Sequence, residues 1–238
     1  MKDFKTFNAA EFNLSELQKQ KGDKKLYVVF STFGEREADL IFDKISLINN
    51  KLGNYVDEIF LSHRRAGSEK ERTEDRAIEA YDKTRILICN DYKVPDMKAE
   101  KGKGADMRRI VYYINKEFAQ GVVSKDIMIV FLDADVVPEH FGEHFVTGLS
   151  GAVLQGAQFA KASFWRAMGR VKKFVAQPLF SVLDHPDLNN LQNFAYPLSG
   201  EVGGTLDFFN KVHFWQIYGV ETGINIDSSI GDYSVADV

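Results

Sequence analysis

Two carboxylates follow six apolar residues in Ile127-Met128-Ile129-Val130-Phe131-Leu132-Asp133-Ala134-Asp135. A run of that length makes one fully buried strand, and the carboxyl end of such a strand is where ligands dock on an open α/β sheet. Side chains two apart on a strand share a face, so Asp133 and Asp135 would meet one metal or sugar if the strand continues through them. A divalent cation that also binds a diphosphate needs only one or two protein carboxylates. The same pair equally suits a solvated turn, because Asp is common just past strands.

Three other segments have residue types suited to chemistry. Glu100-Lys101-Gly102-Lys103-Gly104 precedes a stretch, 105–118, that places Met107, Ile110, Val111 and Ile114 on one helical face. Glycine lets backbone approach a ligand closely, and Lys103 ahead of a helix N-terminus sets a cation beside a positive dipole end, which suits a diphosphate. No Ser or Thr follows Lys103, so this is not a P-loop, and a solvated basic loop is the other reading. Gly169-Arg170-Val171-Lys172-Lys173 gathers three cations, and Arg170 has the bidentate chemistry for a phosphate or carboxylate. It also reads as a surface cluster before the apolar stretch 174–183. In Tyr218-Gly219-Val220-Glu221, the Glu221 carboxylate suits either sugar hydroxyls or the positive end of a helix dipole. His63, His140, His144, His185 and His213 lack metal-ligand spacing, although His140 and His144 fall one helical turn apart. No Gly-x-Ser-x-Gly nucleophile signature occurs, and Cys89 closes an apolar run.

The elements that must position these groups are legible as apolar runs at 26–30, 59–61, 86–89 and 127–132, with helical spacing between them, as in Ile41, Ile45 and Ile48. Strand alternating with helix predicts crossover units and a mostly parallel sheet. Each run ends in residues suited to a ligand edge: Ser31-Thr32-Phe33-Gly34-Glu35, Ser62-His63-Arg64-Arg65, Asn90-Asp91 and the two aspartates. We read residues 1–25 as a lead segment and 26–238 as one domain, with 26–136 and 137–238 as its two halves. A formal net charge of -4 argues against a general nucleic-acid binder. No apolar run reaches membrane-spanning length, and a lone cysteine suits a reducing compartment, so a cytoplasmic protein with no membrane partner is expected.

In this order the motifs resemble the retaining GT-A glycosyltransferases of the glucosyl-3-phosphoglycerate synthase family. The resemblance rests on Gly102-Lys103-Gly104, Asp133-Ala134-Asp135, Gly169-Arg170-Val171, Pro197-Leu198-Ser199-Gly200-Glu201 and Tyr218-Gly219-Val220-Glu221, and covers the chain from about Leu26 onward. It implies a Rossmann-like nucleotide-diphospho-sugar transferase fold. Ser31, Thr32, Phe33, Glu35 and Ser62 would contact the nucleotide of the donor, and Lys103 its diphosphate. Asp133 and Asp135, with Ala134 between them, would hold ribose and a divalent metal, Mg²⁺ or Mn²⁺, with Asp135 the metal ligand. Gly169, Arg170, Val171 and Lys172 would bind a phosphoglycerate acceptor. Leu198 would lie by the reacting sugar and Glu221 would bind its hydroxyls, with Tyr218 nearby.

The implied activity is hexose transfer from a nucleotide diphosphate sugar to 3-phosphoglycerate or a similar small acid, by a metal-dependent enzyme forming homodimers. Lys172 stands where the family pattern has Thr, which leaves an unphosphorylated glycerate acceptor open. The family also supplies a metal-binding histidine downstream of Glu221, and none follows before Val238. The expectation is therefore a domain lacking its C-terminal end, or a sugar-nucleotide-binding protein without turnover.

Overall fold

A computed structural model describes residues 1–165 and 169–238, apart from the Tyr218 side chain. The four apolar runs form strands β2 (Lys25–Phe33), β3 (Glu58–Arg64), β4 (Arg85–Ile88) and β5 (Ile127–Asp133). Strands β1 (Asp3–Thr6), β6 (Phe159–Lys161), β7 (Val202–Thr205) and β8 (Ser234–Asp237) join them. The sheet of described residues runs β1-β8-β6-β7-β5-β2-β3-β4, and β7 alone is antiparallel to its neighbours. Residues 1–25 thus contribute a strand to the same sheet, with Asp3 opposite Ser234.

Both faces of the sheet are covered, as a parallel sheet requires. Helices α1 (Leu14–Lys21), α2 (Ala38–Leu52), α3 (Arg72–Ala80) and α5 (His144–Leu154) meet one face through Leu17, Ile41, Ile45, Ile48, Ala77 and Leu149. Helices α4 (Lys103–Tyr113), α6 (Gln177–Val182), α7 (Leu206–Phe209) and α8 (Val220–Ile230) meet the other. Strand parity divides β5 accordingly. Met128, Val130 and Leu132 point into the first core, and Ile127, Ile129 and Phe131 into the second.

Two expectations need correction. The helix expected over 105–118 begins at Lys103, and its end widens into a π turn over Ile114–Phe118. His140 and His144 do not share a helix, since His140 closes the 3-10 turn Pro138–His140 and His144 opens α5.

Antiparallel β7 brings the ligand edge together. Val202 lies opposite Phe131, so the chain just before β7, including Leu198 and Gly200, arrives at the carboxyl end of β5. Strand β6 runs the same way as β5 and ends at Lys161, opposite both Val202 and Asp237. The ends of β2, β5, β6 and β8 therefore share one edge with the start of β7.

Candidate active site

Parity decides which way the first aspartate faces. Asp133 continues the Ile127-Ile129-Phe131 face, toward α4 and α8. Lys103, the first residue of α4, places Nζ 2.5 Å from Asp133 Oδ1 and 3.0 Å from Glu221 Oε1, Glu221 lying in the first turn of α8. Burial opposes the lysine charge, but the two carboxylates outweigh it and hold the ammonium above the usual lysine range. Gly200 completes the packing, since any side chain there would overlap the Asp133 carboxylate and the Lys103 ammonium.

The glycines beside Lys103 have an internal role. Gly102 caps the helix with φ 93°, and an added Cβ would lie 2.9 Å from Ile217 Cα. A Cβ on Gly104 would overlap the Trp215 carbonyl oxygen. The chain's own segment at 215–217 thus occupies the close approach that a ligand was expected to use. Ile217 has φ 57°, a left-handed backbone that costs a β-branched residue free energy. It opens the 3-10 turn, Ile217–Gly219, that leads into α8 and delivers Glu221.

The second aspartate behaves differently. Strand β5 ends at Asp133, so the two carboxylates do not continue one strand face. Asp135 is exposed, and among the described residues no hydrogen bond or ion pair engages its carboxylate. Beneath it, Lys44 of α2 is 1% exposed and donates from Nζ to the Ala134 carbonyl, with the Phe141 ring 5.4 Å from the ammonium. Burial pushes the Lys44 pKa down to about 8, against the pull of Asp135 and Glu37.

Among the described residues no group of three or more His, Cys, Asp or Glu side chains could hold a metal ion. Asp135 nevertheless fits a hard divalent cation that takes its remaining oxygens from a diphosphate and water, because its own oxygens are uncommitted. Ser31, in register between Asp133 and Ser62, adds a buried hydroxyl with no partner among the described residues.

The other expected donor residues are spread over the ends of β2 and β3. Phe33 is exposed, and the exposed Glu35 accepts from the Arg72 amide at 2.8 Å. Thr32 is buried, with its hydroxyl 2.8 Å from His63 Nδ1. Ser62 is buried and its hydroxyl lies 3.2 Å from Cys89 Sγ. Leu198 is half-buried; the neighbouring Pro197 carbonyl accepts from Asn225 of α8 at 2.7 Å. In the acceptor segment, Gly169 is buried and Arg170 and Val171 are exposed. The Lys172 ammonium lies 4.8 Å from the Tyr196 ring centre. The Tyr218 side chain lies outside the described residues.

Two residues to which the sequence reading assigned no role also shape this edge. Lys161 is 1% exposed, and burial lowers its pKa to about 8 despite the carboxylates of Glu221, Glu201 and Asp237. Glu201 is buried, accepting from Ser199 Oγ at 2.7 Å, and burial raises its pKa. A cavity of about 10 Å³, room for one water, lies between Lys103, Lys161, Gly200 and Glu221. The available signal was a charged residue inside an apolar pattern: Lys44 within Ile41-Ile45-Ile48, and Lys161 closing Phe159-Ala160.

No protein-family profile matches the chain. The glucosyl-3-phosphoglycerate synthase of Mycolicibacterium smegmatis is 28% identical over 237 residues, spanning 94% of this chain and 70% of that protein. That of Petrotoga mobilis is also 28% identical, over 98% of this chain and 71% of its own length. This chain is similar, over nearly its whole length, to the glucosyl-3-phosphoglycerate synthases. The crystal structure of the Mycobacterium tuberculosis synthase with Mn²⁺, uridine diphosphate and glucosyl-3-phosphoglycerate superposes with TM-score 0.76 at 26% identity, covering 99% of this chain and 77% of that one. The same synthase with phosphoglyceric acid gives 0.74 at 27% identity, over 99% and 76%. The mostly parallel sheet is therefore a GT-A fold, as the order of motifs implies.

Proposed function

We propose that this protein is a metal-dependent glucosyltransferase that moves glucose from UDP-glucose to 3-phosphoglycerate or a closely similar small acid, with retention at the anomeric carbon. The observation that carries the reading is the likeness, over nearly the whole chain, to a synthase holding Mn²⁺, uridine diphosphate and glucosyl-3-phosphoglycerate. The Lys103, Asp133 and Glu221 cluster at the corresponding sheet edge supports it.

The nucleotide lies over the ends of β2 and β3, where Ser31 offers its unpartnered hydroxyl and Phe33 an exposed ring. Asp133 faces the ribose. Asp135 holds Mg²⁺ or Mn²⁺, which when bound neutralises charge on the leaving diphosphate. Lys103 keeps its proton and supplies a fixed cation close to that diphosphate. Glu221 accepts hydrogen bonds from glucose hydroxyls, and the segment at Leu198 borders the anomeric carbon. Arg170 and Lys172 take the anionic groups of the acceptor. The acceptor hydroxyl attacks from the face that the diphosphate leaves: the new carbon–oxygen bond forms as the glycosidic bond to phosphate breaks, and the hydroxyl proton passes to the departing phosphate oxygen. Isolation of a covalent glucosyl-enzyme would overturn that route.

Phe174, Leu179 and Val182 are exposed on and just before α6, an apolar surface that suits a second copy of the chain. No helix among the described residues is long and apolar enough to cross a membrane. Cytoplasmic residence is consistent with the single, buried Cys89. The test of the activity is release of UDP from UDP-glucose that requires both a divalent cation and 3-phosphoglycerate, with the glucosylated product seen by mass spectrometry. Donor binding without product would mark a sugar-nucleotide-binding protein instead.

A further inference from the structure

Lys44 has no place in the chemistry described so far, and its position is costly. It lies on the apolar face of α2 among Ile41, Ile45 and Ile48, all at 0% exposure, and is itself 1% exposed. Among the described residues it forms no ion pair, and its ammonium donates to a single acceptor, the carbonyl of Ala134. A buried ammonium without a directly paired carboxylate is destabilising, and replacing such a charge with a hydrophobic side chain of similar volume is often neutral or favourable for stability. The carbonyl it holds belongs to the residue between Asp133 and Asp135, at the point where β5 has ended and no strand partner fixes the backbone. The Phe141 ring, later in the same connection, has its centre 5.4 Å from the ammonium.

We propose that Lys44 is a positioning residue for the metal ligand: by anchoring the Ala134 carbonyl it fixes the turn that presents the Asp135 carboxylate to the divalent cation. The inference rests on the metal-dependent reading above. Residues that orient a metal ligand through a hydrogen bond one step removed change metal affinity by about 10–100-fold when removed. Lys161, equally buried at the same sheet edge, supplies the comparison, since it closes β6 beside Glu221, Glu201 and Asp237 and makes no hydrogen bond to the 134–135 turn among the described residues.

The experiment is a calorimetric titration of Mn²⁺ into the full chain at saturating UDP, for the wild type, Lys44→Met and Lys161→Met, with melting curves on each. Lys44→Met is expected to weaken Mn²⁺ at least tenfold while metal-free UDP affinity stays within twofold. Lys161→Met is expected to leave Mn²⁺ affinity within twofold. Should Lys44→Met fail to fold, Phe141→Leu, which removes the ring but keeps an apolar side chain, is expected to weaken Mn²⁺ several-fold. Wild-type Mn²⁺ affinity in Lys44→Met, or in Phe141→Leu where it is the variant read, overturns the positioning role alone. A wild type whose UDP binding ignores Mn²⁺ overturns the metal reading and the positioning role together.

Discussion

The two carboxylates at the end of β5 are two residues apart and have opposite surroundings. Asp133, the last residue of the strand, is turned by strand parity toward α4 and α8 and fixed by Lys103. Asp135, beyond the strand, is exposed and uncommitted, and only the backbone before it is anchored, by Lys44. One aspartate is part of the architecture and the other is available to a ligand. Residue type does not distinguish them; the position at which the strand stops does.

The contrast is sharpest in Asp135→Asn. We expect glucose transfer to fall by about 100-fold or more, since the lost carboxylate is the one assigned to the metal, while the melting temperature stays within about 2 °C because no internal contact is broken. Lys103→Met tests the other side. It leaves Asp133 and Glu221 facing each other without their cation, and we expect a loss of about 2 kcal/mol in urea unfolding. A fully buried pair would lose roughly 3–5 kcal/mol, but here 16–30% of the three side chains' surface remains exposed. A smaller effect is expected from Gly200→Ala, whose methyl group meets the Asp133 and Lys103 side chains. Overpacking costs about 1–3 kcal/mol, and because the atoms met are the ends of flexible side chains the loss should fall near the lower figure, read in the same unfolding assay.

The pH dependence of stability provides the mildest test. Below pH 8 the Lys161 ammonium is charged both folded and unfolded. Between about 8 and the ordinary lysine value of 10.5, the unfolded chain holds a proton that the fold has released. Stability of the wild type relative to Lys161→Met should therefore rise with pH across that window, by up to about 1.4 kcal/mol per pH unit. A falling or flat difference would show that the neighbouring carboxylates, rather than burial, govern this lysine.

Much of the sheet was legible because β2, β3, β4 and β5 are continuous apolar runs separated by helical spacing. The strands on the other side of β5 were not. Strand β6 has three residues and β7 reads Val-Gly-Gly-Thr, too short or too glycine-rich to carry a period. Their order in the sheet is set by long-range pairing rather than by local pattern. Among the candidate site residues, Lys103, Asp133 and Glu221 were found by motif and converge in space. The meaning of Gly102 and Gly104 was hidden, because what approaches them closely is the chain's own segment at 215–217, more than a hundred residues away. Lys44 and Lys161 were missed for a related reason: the apolar pattern around each lysine marks a face, but whether the ammonium on that face is buried is decided only when the helix or strand is packed.

The most direct test of the division between the two aspartates is the rate of glucose transfer as a function of Mn²⁺ concentration in Asp133→Asn and Asp135→Asn. The account predicts that Asp133→Asn lowers the maximal rate but keeps the wild-type half-saturating Mn²⁺ concentration within about twofold, whereas Asp135→Asn raises that concentration at least tenfold. An unchanged Mn²⁺ requirement in Asp135→Asn, or an equal shift in Asp133→Asn, would contradict it.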